Sequence, residues 1–217
     1  MAKSRPHVIL SAAMSLDGKI ATRSGKSNLS SRKDLIRVHK LRANVDAILV
    51  GKGTVMIDDP SLMVKYVRGK NPIRIILDPN GLIKLNSKIV KTSSIVPTII
   101  VVSGEISAKK ISRLQKYGFE VLKCGRSKID LKKLLQILYN KGVKKLLIEG
   151  GGTTNWYFFK AHLFDEIIIT IAPYILGGKN SISLVNGEGF DEIPAATSLR
   201  LKKTHRMKNE LVLHYII

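Results

Sequence analysis

The sequence predicts a single α/β domain over residues 1–217, with a mostly parallel sheet flanked by helices and an antiparallel C-terminal portion. Short apolar segments rich in β-branched residues alternate with amphipathic segments, and short polar turns connect them. Of the 217 residues, 44% are hydrophobic and 24% are charged, which is typical of a globular chain with a sizeable core. We find no internal repeat and no linker along the sequence.

In the first half of the chain, apolar segments predict strands and one amphipathic segment predicts a long helix. Residues 31–44 place their apolar side chains roughly on one face, which predicts a helix capped by Ser30 or Ser31. Residues 53–58 predict a short helix that Pro60 ends. Residues 15–28 are polar and contain glycine, so we expect a loop. The strands predicted in this half are 7–12, 47–50, 73–77 and 98–103.

The second half continues the alternation and ends in a hairpin. Gly118 suits the left-handed conformation that closes a helix, so it marks the end of the first helix of this half. A polar turn at Lys208 and Asn209 separates two candidate strands, 198–205 and 211–217, which predicts a terminal hairpin. The predicted helices are 107–117, 131–139 and 154–162, and the predicted strands before the hairpin are 119–122, 144–148 and 166–172.

The net charge is the unusual feature of the composition. Lys and Arg number 37 against 16 Asp and Glu, a formal charge of +21 at pH 7. The excess is spread over the first two-thirds of the chain and forms no run of like charges typical of a disordered nucleic-acid arm. Such a field attracts nucleic acid, phosphorylated metabolites and pyrophosphate cofactors alike, so the charge alone does not select a ligand.

Several classes of protein are excluded or disfavoured. Cys124 is the single cysteine, which rules out a disulfide framework and a Cys-rich zinc site. The five histidines show no HxH or HExxH spacing, so we expect no metal. No apolar stretch approaches the ~18 residues of a membrane span, and no secretory signal is evident at the start. We therefore expect a soluble, cytoplasmic protein without a membrane partner.

The most informative segment is the strand-to-helix turn KLLIEGGGTTN at residues 145–155. A buried strand runs directly into three glycines and a helix, which places backbone N–H groups and a positive helix end at the carboxyl edge of the sheet. Glycine lets an anion approach the backbone, and Thr153 and Thr154 add hydroxyl donors. The pattern favours an anion site over a plain turn, although it is neither GxGxxG nor a Walker loop. Glu149 either faces a ligand in this crevice or caps the helix.

Two further polar clusters follow predicted strands. Asp17 and Lys19 flank a glycine after the first strand, either as a common Asp-Gly turn or as an acid and a base of a site. Residues 51–60, GKGTVMIDDP, place two glycines before a short helix whose N-terminus could meet a phosphate, with Thr54 as a hydroxyl donor. The carboxylates at Asp58 and its neighbour are typical of a helix end beside a proline, and less so of a metal or acid–base site.

Taken together, these clusters resemble one family, the reductases of riboflavin biosynthesis that act on a ribosylaminopyrimidine 5′-phosphate. The resemblance spans nearly the whole chain in order and is more specific than any single motif. It implies a dihydrofolate reductase-like fold, a homodimer, and reduction of a ribosyl group to ribityl by hydride transfer to C1′ of the sugar. The matching segments are SAAMSLDGKIA (11–21), LIRVHKLRANVDAILVGKGTV with IDDP (35–60), RIILD (74–78), LLIEGGGTTNW (146–156) and IAPYILGG (171–178).

The resemblance also implies roles for particular residues, with NADPH as the cofactor and NADH as the alternative. The expected catalytic groups, which would assist ring opening, orient the sugar or read the pyrimidine, are Lys19, Asp17 and Glu149. The expected substrate ligands are Ser27, Arg42, Glu149 and Lys65. Lys65 stands where bacterial relatives have an Arg, and its ammonium group is a point charge that lacks the two-pronged donor geometry of a guanidinium. The expected cofactor ligands are Ala13, Leu29, Thr54, Asp58, Gly150, Gly151, Gly152, Thr153, Thr154 and Asn155.

Bacterial members are commonly fused to a zinc deaminase with an H-x-E and P-C-x-x-C signature, which this sequence lacks. The chain therefore resembles the stand-alone, archaeal-type reductases, which reduce before deamination. The expected substrate is 2,5-diamino-6-ribosylamino-4(3H)-pyrimidinone 5′-phosphate. The alternatives are the same reduction on the deaminated uracil analogue, another reductase on this scaffold, and a basic nucleic-acid-binding module. A nucleic-acid-binding module would give the glycine turn no role, so we expect no specific nucleic-acid partner.

Overall fold

A computed structural model describes residues 4–217 as one α/β unit around a 9-stranded sheet. Residues 1–3, which begin the predicted domain and the segment considered for a secretory signal, lie outside the described residues. The strand order is β10-β11-β8-β1-β7-β3-β4-β5-β6, and a separate two-stranded ribbon joins β2 to β9. All neighbours from β8 to β6 pair in parallel, whereas β11 is antiparallel to both β8 and β10. The predicted fold class is confirmed.

Strands and helices alternate along the parallel part of the sheet. The strands are β1 (His7–Ser15), β2 (Lys19–Ala21), β3 (Ala47–Gly51), β4 (Ile73–Leu77), β5 (Thr98–Val102), β6 (Glu120–Lys123), β7 (Lys145–Ile148), β8 (Glu166–Ala172), β9 (Ile182–Ser183), β10 (Arg200–Met207) and β11 (Glu210–Ile216). The helices are α1 (Arg32–Ala43), α2 (Lys52–Asp58), α3 (Lys88–Lys91), α4 (Ala108–Lys116), α5 (Leu131–Asn140) and α6 (Gly152–Lys160), with a 3₁₀ turn at Ile193–Ala195.

The central strands are buried on both faces, because helices cover each side of the sheet. Every residue of β3 and β5 is buried. The side chains divide into two apolar cores, one containing Leu49 and Leu135 and the other containing Ile48 and Leu114. Continuous β-branched and leucine runs are typical of parallel strands covered on both sides. This explains why the sequence predicted these strands well.

Most sequence predictions of elements are confirmed, and four need correction. The segment 15–28, expected as a loop, contains the end of β1 and the short strand β2, which pairs with the distant β9. The short helix α3, the strand β9 and the 3₁₀ turn have no counterpart in the predictions. These elements hold only two to four residues each. Segments this short carry too little periodicity for a pattern to reveal them.

The helix α1 is fixed at its start by contacts that reach across the molecule. Ser31 is the N-cap, and its hydroxyl oxygen accepts from the N–H of Asp34 at 3.3 Å. The same hydroxyl donates to the buried carboxylate of Glu210 at 2.6 Å, which ties the helix to β11. Asp34 is fully buried and accepts from the hydroxyl of Thr170 on β8 at 2.7 Å. These bonds set the position of α1 against the sheet.

A fully buried arginine on β4 organises the loops beside the sheet. Arg74 donates to the Thr98 hydroxyl at 2.9 Å and to the Thr92 hydroxyl at 2.7 Å. Its remaining hydrogen bonds, at 3.1 to 3.2 Å, go to the backbone carbonyls of Ser61, Ile89, Thr92 and Val96. Burial lowers the pKa of Arg74 to about 10, since every acceptor is neutral.

The strand register brings three chain segments to the same level of the carboxyl edge. Ile148 pairs with Leu10 on one side and with Leu49 on the other. The residues that follow these, on β1, β3 and β7, therefore lie together where the strands end. Such an edge is where open α/β sheets bind ligands. Within residues 4–217, no helix is long and apolar enough to cross a membrane, and no cluster of side chains is suited to a metal ion.

Candidate active site

A cleft of about 1060 Å³ runs along the carboxyl edge of the sheet. Its floor comes from the ends of β1, β3 and β4, and its walls come from α1, α2, the start of α6 and the β2–β9 ribbon. Among the sequence-predicted site residues, those that line it are Ala13, Ser27, Arg42, Thr54, Asp58, Glu149, Gly151, Gly152, Thr153 and Thr154. The fold therefore brings the glycine turn after β7 and the segment 51–60 into one cavity, together with Ala13 of β1, whereas Asp17 and Lys19 do not line it.

The glycine turn after β7 packs against the start of α2 without room for side chains. Gly150 and Gly151 have φ values of 78° and 86°, which glycine adopts without strain. The carbonyl of Gly150 accepts from the N–H of Gly51 at 3.1 Å and from the hydroxyl of Thr54 at 3.3 Å. A Cβ on Gly151 would lie 3.2 Å from that hydroxyl oxygen. We call this arrangement, residues 51–54 with residues 150–154, the glycine cradle.

The glycine cradle has the features that a pyrophosphate requires. A Cβ on Gly51 would lie 2.5 Å from the Thr154 hydroxyl oxygen, so only glycine lets the two turns meet this closely. The N–H groups in the first turn of α6 have no acceptor within the helix, as at every helix start, and residues of this turn line the cleft. Behind the turn, the buried Asn155 Oδ1 has no hydrogen-bond partner among residues 4–217. The glycines and hydroxyls present therefore fit a phosphate-bearing ligand such as a dinucleotide cofactor.

The most prominent charged feature beside the cradle is an ion pair between α1 and the end of β7. Arg42 Nε donates to Glu149 Oε1 at 2.7 Å, its Nη2 donates to Oε2, and both side chains are 14% exposed. The Nη1 of Arg42 donates to the Met63 carbonyl at 3.2 Å. Burial would lower the pKa of Arg42, but the charge and hydrogen bonds of Glu149 outweigh it and raise that pKa. The pair holds the Glu149 carboxylate in a fixed orientation on the cleft wall.

The loop that carries Lys65 is fastened to α1 by a neutral histidine. The N–H of Lys65 donates to His39 Nδ1 at 2.9 Å, and the His39 ring meets the Tyr66 ring edge-on with centroids 4.6 Å apart. Burial and the nearby charge of Arg42 lower the pKa of His39 to about 4. The imidazole is therefore neutral at neutral pH and can accept this bond. Lys65 itself is exposed and does not line the cleft.

A hydroxyl–carboxylate pair joins the polar segment before α1 to the end of α2. The Ser27 hydroxyl donates to Asp58 Oδ1 at 2.8 Å, and both residues line the cleft. Partial burial raises the pKa of Asp58, and the hydrogen bond from Ser27 opposes that shift.

Asp17 follows the end of β1 and Lys19 begins β2, and neither residue lines the cleft. Asp17 is exposed and accepts from the N–H groups of Leu176 and Gly177, at 3.1 and 2.7 Å, and from the Ser15 hydroxyl. These hydrogen bonds, with Ser15 the strongest contributor, lower the pKa of Asp17 to about 2. Of the two alternatives that the sequence left open for Asp17, the Asp-Gly turn describes its geometry here.

The β2–β9 ribbon forms one wall of the cleft and connects distant parts of the chain. Lys19 Nζ donates to the Ser183 hydroxyl at 3.0 Å. The side-chain amide of Asn155 donates to the Leu184 carbonyl at 2.7 Å, and the N–H of Asn186 donates to the Gly152 carbonyl at 3.0 Å. Asn155, Gly150 and Leu29 are buried and support the cleft from behind without lining it.

Sequence reasoning missed the far end of the cleft. That end includes Leu77 at the end of β4, Pro79 after it, and residues 127–132, which run into the first turn of α5. The segment reads SKIDLK, which contains no glycine motif and consists of charged, polar and apolar residues that are common at a helix start on the surface. Its distance along the chain from the other site segments gave no signal that it would join them.

The structural neighbours define the class of the protein. RibD of Acinetobacter baumannii, form 2, superposes with a TM-score of 0.85 at 27% identity, covering 100% of this chain and 59% of that chain. Dihydrofolate reductase from Enterococcus faecalis superposes with a TM-score of 0.53 at 12% identity, covering 97% of this chain and 95% of the other, which shows the fold alone. The chain therefore belongs to the class of proteins with a dihydrofolate reductase-like fold.

Within that class, the chain belongs to the RibD C-terminal domain family, whose pattern matches residues 6–213. A Methanothermobacter thermautotrophicus protein named 2,5-diamino-6-ribosylamino-4(3H)-pyrimidinone 5′-phosphate reductase is 40% identical over 98% of this chain and 99% of its own length. A protein of the same name from Aquifex aeolicus is 37% identical over 91% of this chain and 90% of its own length. The chain covers 57% of Riboflavin biosynthesis protein RibD from Actinobacillus pleuropneumoniae, at 34% identity.

Proposed function

We propose that this protein reduces the ribosyl group of 2,5-diamino-6-ribosylamino-4(3H)-pyrimidinone 5′-phosphate to ribityl, with NADPH as the reductant. The observation that carries the proposal is the shared cleft, in which the glycine cradle lies beside the fixed Glu149 carboxylate. The relatives that bear the name of this reductase, and that the chain covers almost end to end, supply the substrate class.

The residues of the cleft divide between positioning the cofactor and positioning the substrate. When bound, the reduced nicotinamide supplies a hydride, and the overall reaction also consumes one proton. The cradle residues 51–54 and 150–154 hold the phosphates that join the two halves of the cofactor, and Ala13 and Asp58 line the cleft beside them. The main task of the protein is to align donor and acceptor carbons, since the cofactor carries the chemistry.

On the substrate side, we assign Glu149 to hydrogen-bond the pyrimidine or the sugar. Its two oxygens are each held by one guanidinium donor, and their remaining lone pairs are available to a ligand. Arg42 acts here as a positioning residue, because both its Nε and Nη2 are engaged by Glu149. Ser27 offers a hydroxyl on the same wall, and Lys65 lies on the loop that the Arg42 and His39 contacts anchor.

We propose that Lys19 assists ring opening and that Asp17 supports it as a positioning residue, although neither residue lines the cleft. Lys19 belongs to the ribbon whose neighbours Ile20 and Ala21 line the cavity. A small shift of its flexible stem, released from Ser183, would bring the ammonium toward a bound sugar. Asp17 would then contribute by holding the loop 176–177 in place.

The test is a comparison of three oxidants in a cofactor-oxidation assay. The purified protein is mixed with NADPH and with the diaminopyrimidinone substrate, its deaminated uracil analogue, or dihydrofolate. We expect the fastest cofactor oxidation with the diaminopyrimidinone, and the ribityl product by mass spectrometry. Faster turnover of the uracil analogue would place deamination before reduction, and turnover of dihydrofolate alone would assign a different reductase. Glu149→Gln should sharply lower turnover while leaving cofactor binding largely intact.

We also propose that two copies of the chain assemble through the terminal hairpin. The outer strand β10 pairs only with β11, which leaves the sheet edge open. Exposed apolar side chains lie on and beside the hairpin, with Leu199, Leu201 and Ile217 toward its open end and Leu211 near the turn. An open edge with apolar side chains favours pairing with another chain. Light scattering should give twice the 24.0 kDa chain mass, and Leu201→Glu should shift it toward the monomer.

A further inference from the structure

A loop between α2 and β4 carries a concentration of positive charge next to the cleft. Residues 64–71, which we call the cationic loop, contain Lys65, Arg68 and Lys70, and all three are exposed. None of these side chains forms an ion pair with a carboxylate among residues 4–217. Residues 60–77 contain no Asp or Glu. The loop is therefore a positive surface without neighbouring acids in the chain, which is suited to an anionic ligand.

The last turns of α1 hold the cationic loop in place. His39 Nδ1 accepts from the N–H of Lys65 at 2.9 Å, so the proton of the neutral imidazole is on Nε2. The His39 ring also meets the Tyr66 ring edge-on. Further along the loop, a Cβ on Gly69 would lie 2.5 Å from the Cβ of Ala43, so only glycine lets the loop approach the helix this closely. Because His39 is buried, its hydrogen bond to the loop is largely shielded from water.

The same helix connects the cationic loop to the substrate end of the cleft. Arg42, three residues after His39, holds the Glu149 carboxylate and also donates to the carbonyl of Met63, directly before the loop, at 3.2 Å. Leu62 lines the cleft and has a φ of 54°, in the left-handed region that residues other than glycine rarely adopt. Such a backbone persists only where surrounding contacts enforce it. The contacts from α1 therefore fix both the start of the loop and its course away from the cleft.

We propose that His39 is a positioning residue for the substrate: by holding the N–H of Lys65, it keeps the Lys65 ammonium within reach of the negatively charged pyrimidine phosphate. This rests on the proposed function, which counts Lys65 among the substrate ligands. A loop that is already ordered spares the substrate the cost of ordering it on binding. His39 therefore acts on the affinity for the substrate and not on hydride transfer or cofactor binding, because its hydrogen bond and its ring contact are both with the loop.

Steady-state kinetics at saturating NADPH test this role. His39→Leu removes the acceptor and keeps an apolar side chain at the buried position. We expect the KM for the pyrimidine phosphate to rise about fivefold to tenfold, the effect of one lost hydrogen bond, while kcat and the NADPH dissociation constant stay within about twofold. His39→Asn places an oxygen where Nδ1 was and should restore most of the KM. Lys40→Gln, the next residue on α1 and exposed, is the matched control and should change none of these constants.

A double-mutant cycle shows whether His39 acts through the cationic loop. Lys65→Gln alone should raise the KM for the pyrimidine phosphate at least as much as His39→Leu does. In the Lys65→Gln background, His39→Leu should raise the KM by less than about twofold more, because the cation that it positions is already absent. A merely structural role of His39 would instead lower kcat to the same extent in both backgrounds.

A second variant tests the loop without touching the histidine. Gly69→Ala adds the methyl group that collides with Ala43 and so displaces the loop from α1 at an exposed position. It should raise the KM for the pyrimidine phosphate and leave kcat within about twofold, since the glycine cradle is not altered. Circular dichroism and urea unfolding check that each variant folds. If His39→Leu does not fold, Gly69→Ala and His39→Asn still decide the question.

Three results would overturn the inference in an enzyme whose wild type reduces the pyrimidine phosphate. One is a wild-type KM in folded His39→Leu or in Gly69→Ala. Another is a KM of His39→Asn that is as high as that of His39→Leu or Lys65→Gln. The third is an equal effect of His39→Leu with and without Lys65. A wild-type protein that does not reduce the pyrimidine phosphate would contradict the proposed function itself.

Discussion

Replacing Arg42 with methionine tests whether the ion pair with Glu149 holds the cleft together. The methionine keeps most of the apolar volume of the arginine stem but leaves the Glu149 carboxylate on the cleft wall without its guanidinium partner. In the wild-type protein the Arg42 Nε to Glu149 Oε1 distance is 2.7 Å, and each side chain is 14% exposed. The variant also removes the bond to the Met63 carbonyl, which anchors the loop that follows Pro60.

The expected loss of unfolding free energy follows from this burial. Removing one partner of a buried ion pair costs about 3–5 kcal/mol, because the other charge stays desolvated. The 14% exposure and the open cleft let water reach the carboxylate, so we place the loss near the lower end, at about 3 kcal/mol. Replacing both partners with methionine removes the unpaired charge. That double variant should lie within about 1 kcal/mol of the wild type.

Urea unfolding at neutral pH measures these differences, and the chain offers a matched control. The Lys141–Glu120 pair has a similar N–O distance, 2.8 Å, but its side chains are 42% and 48% exposed. Lys141→Met should therefore lose less than about 0.5 kcal/mol. If Arg42→Met is no more destabilised than Lys141→Met, or if the double methionine variant is less stable than both singles, the assigned role of the pair is wrong.

Three further predictions concern residues away from the cleft centre. His39 has a folded-state pKa of about 4 against an ordinary value of 6.5, so the unfolded chain binds more protons than the folded protein between these pH values. The free energy of unfolding therefore falls as the pH drops through that range, by about 2 kcal/mol. His39→Asn should lack this part of the pH dependence when urea unfolding is compared at pH 7 and pH 5. Arg74→Met leaves buried carbonyl acceptors without a donor and should lower the free energy of unfolding by about 3 kcal/mol or more. Arg74→Lys cannot reach all six acceptors and should therefore recover only part of that loss. If thermal melts show the same loss for both variants, the geometry of the guanidinium group is irrelevant. Asp17→Ala should speed amide hydrogen exchange at Gly177, which loses its acceptor, and unchanged protection there would mean that Asp17 does not hold the loop.

How far the sequence predicted the site depends on the kind of signal each part carries. The glycine cradle was predictable because a strand that runs into three glycines and a helix brings free backbone N–H groups to the sheet edge whatever the rest of the fold does. Glu149 was identified as a candidate because it directly precedes those glycines. The sequence did not decide whether its carboxylate contacts a ligand or caps the helix. Its actual partner, Arg42, lies 107 residues earlier on α1. No local pattern could reveal that pairing, because it depends on how α1 packs across the sheet.

The same limit applies to Asp17 and to the far end of the cleft. Asp17 sits in a local motif that is compatible with either a turn or a site, and its acceptors are occupied by N–H groups 159 and 160 residues away. The segment 127–132 joins the cavity because β6 lies at the sheet edge beyond β4 and β5, a topological fact without a sequence motif. Most of the net charge of +21 lies outside the cleft, because only a few of the lysines in the chain line it.

The sequence by itself determined the alternation of strands and helices, the parallel core and the cradle, because each rests on local periodicity or on glycine geometry. The tertiary structure decided which side chains of those elements meet. It paired Glu149 with Arg42, joined β2 to β9 as a wall, and set lysines at the start of α5 at the far end of the cleft. The physical reason is that hydrogen bonds and ion pairs between distant segments depend on register and packing, which the sequence specifies only through the whole fold.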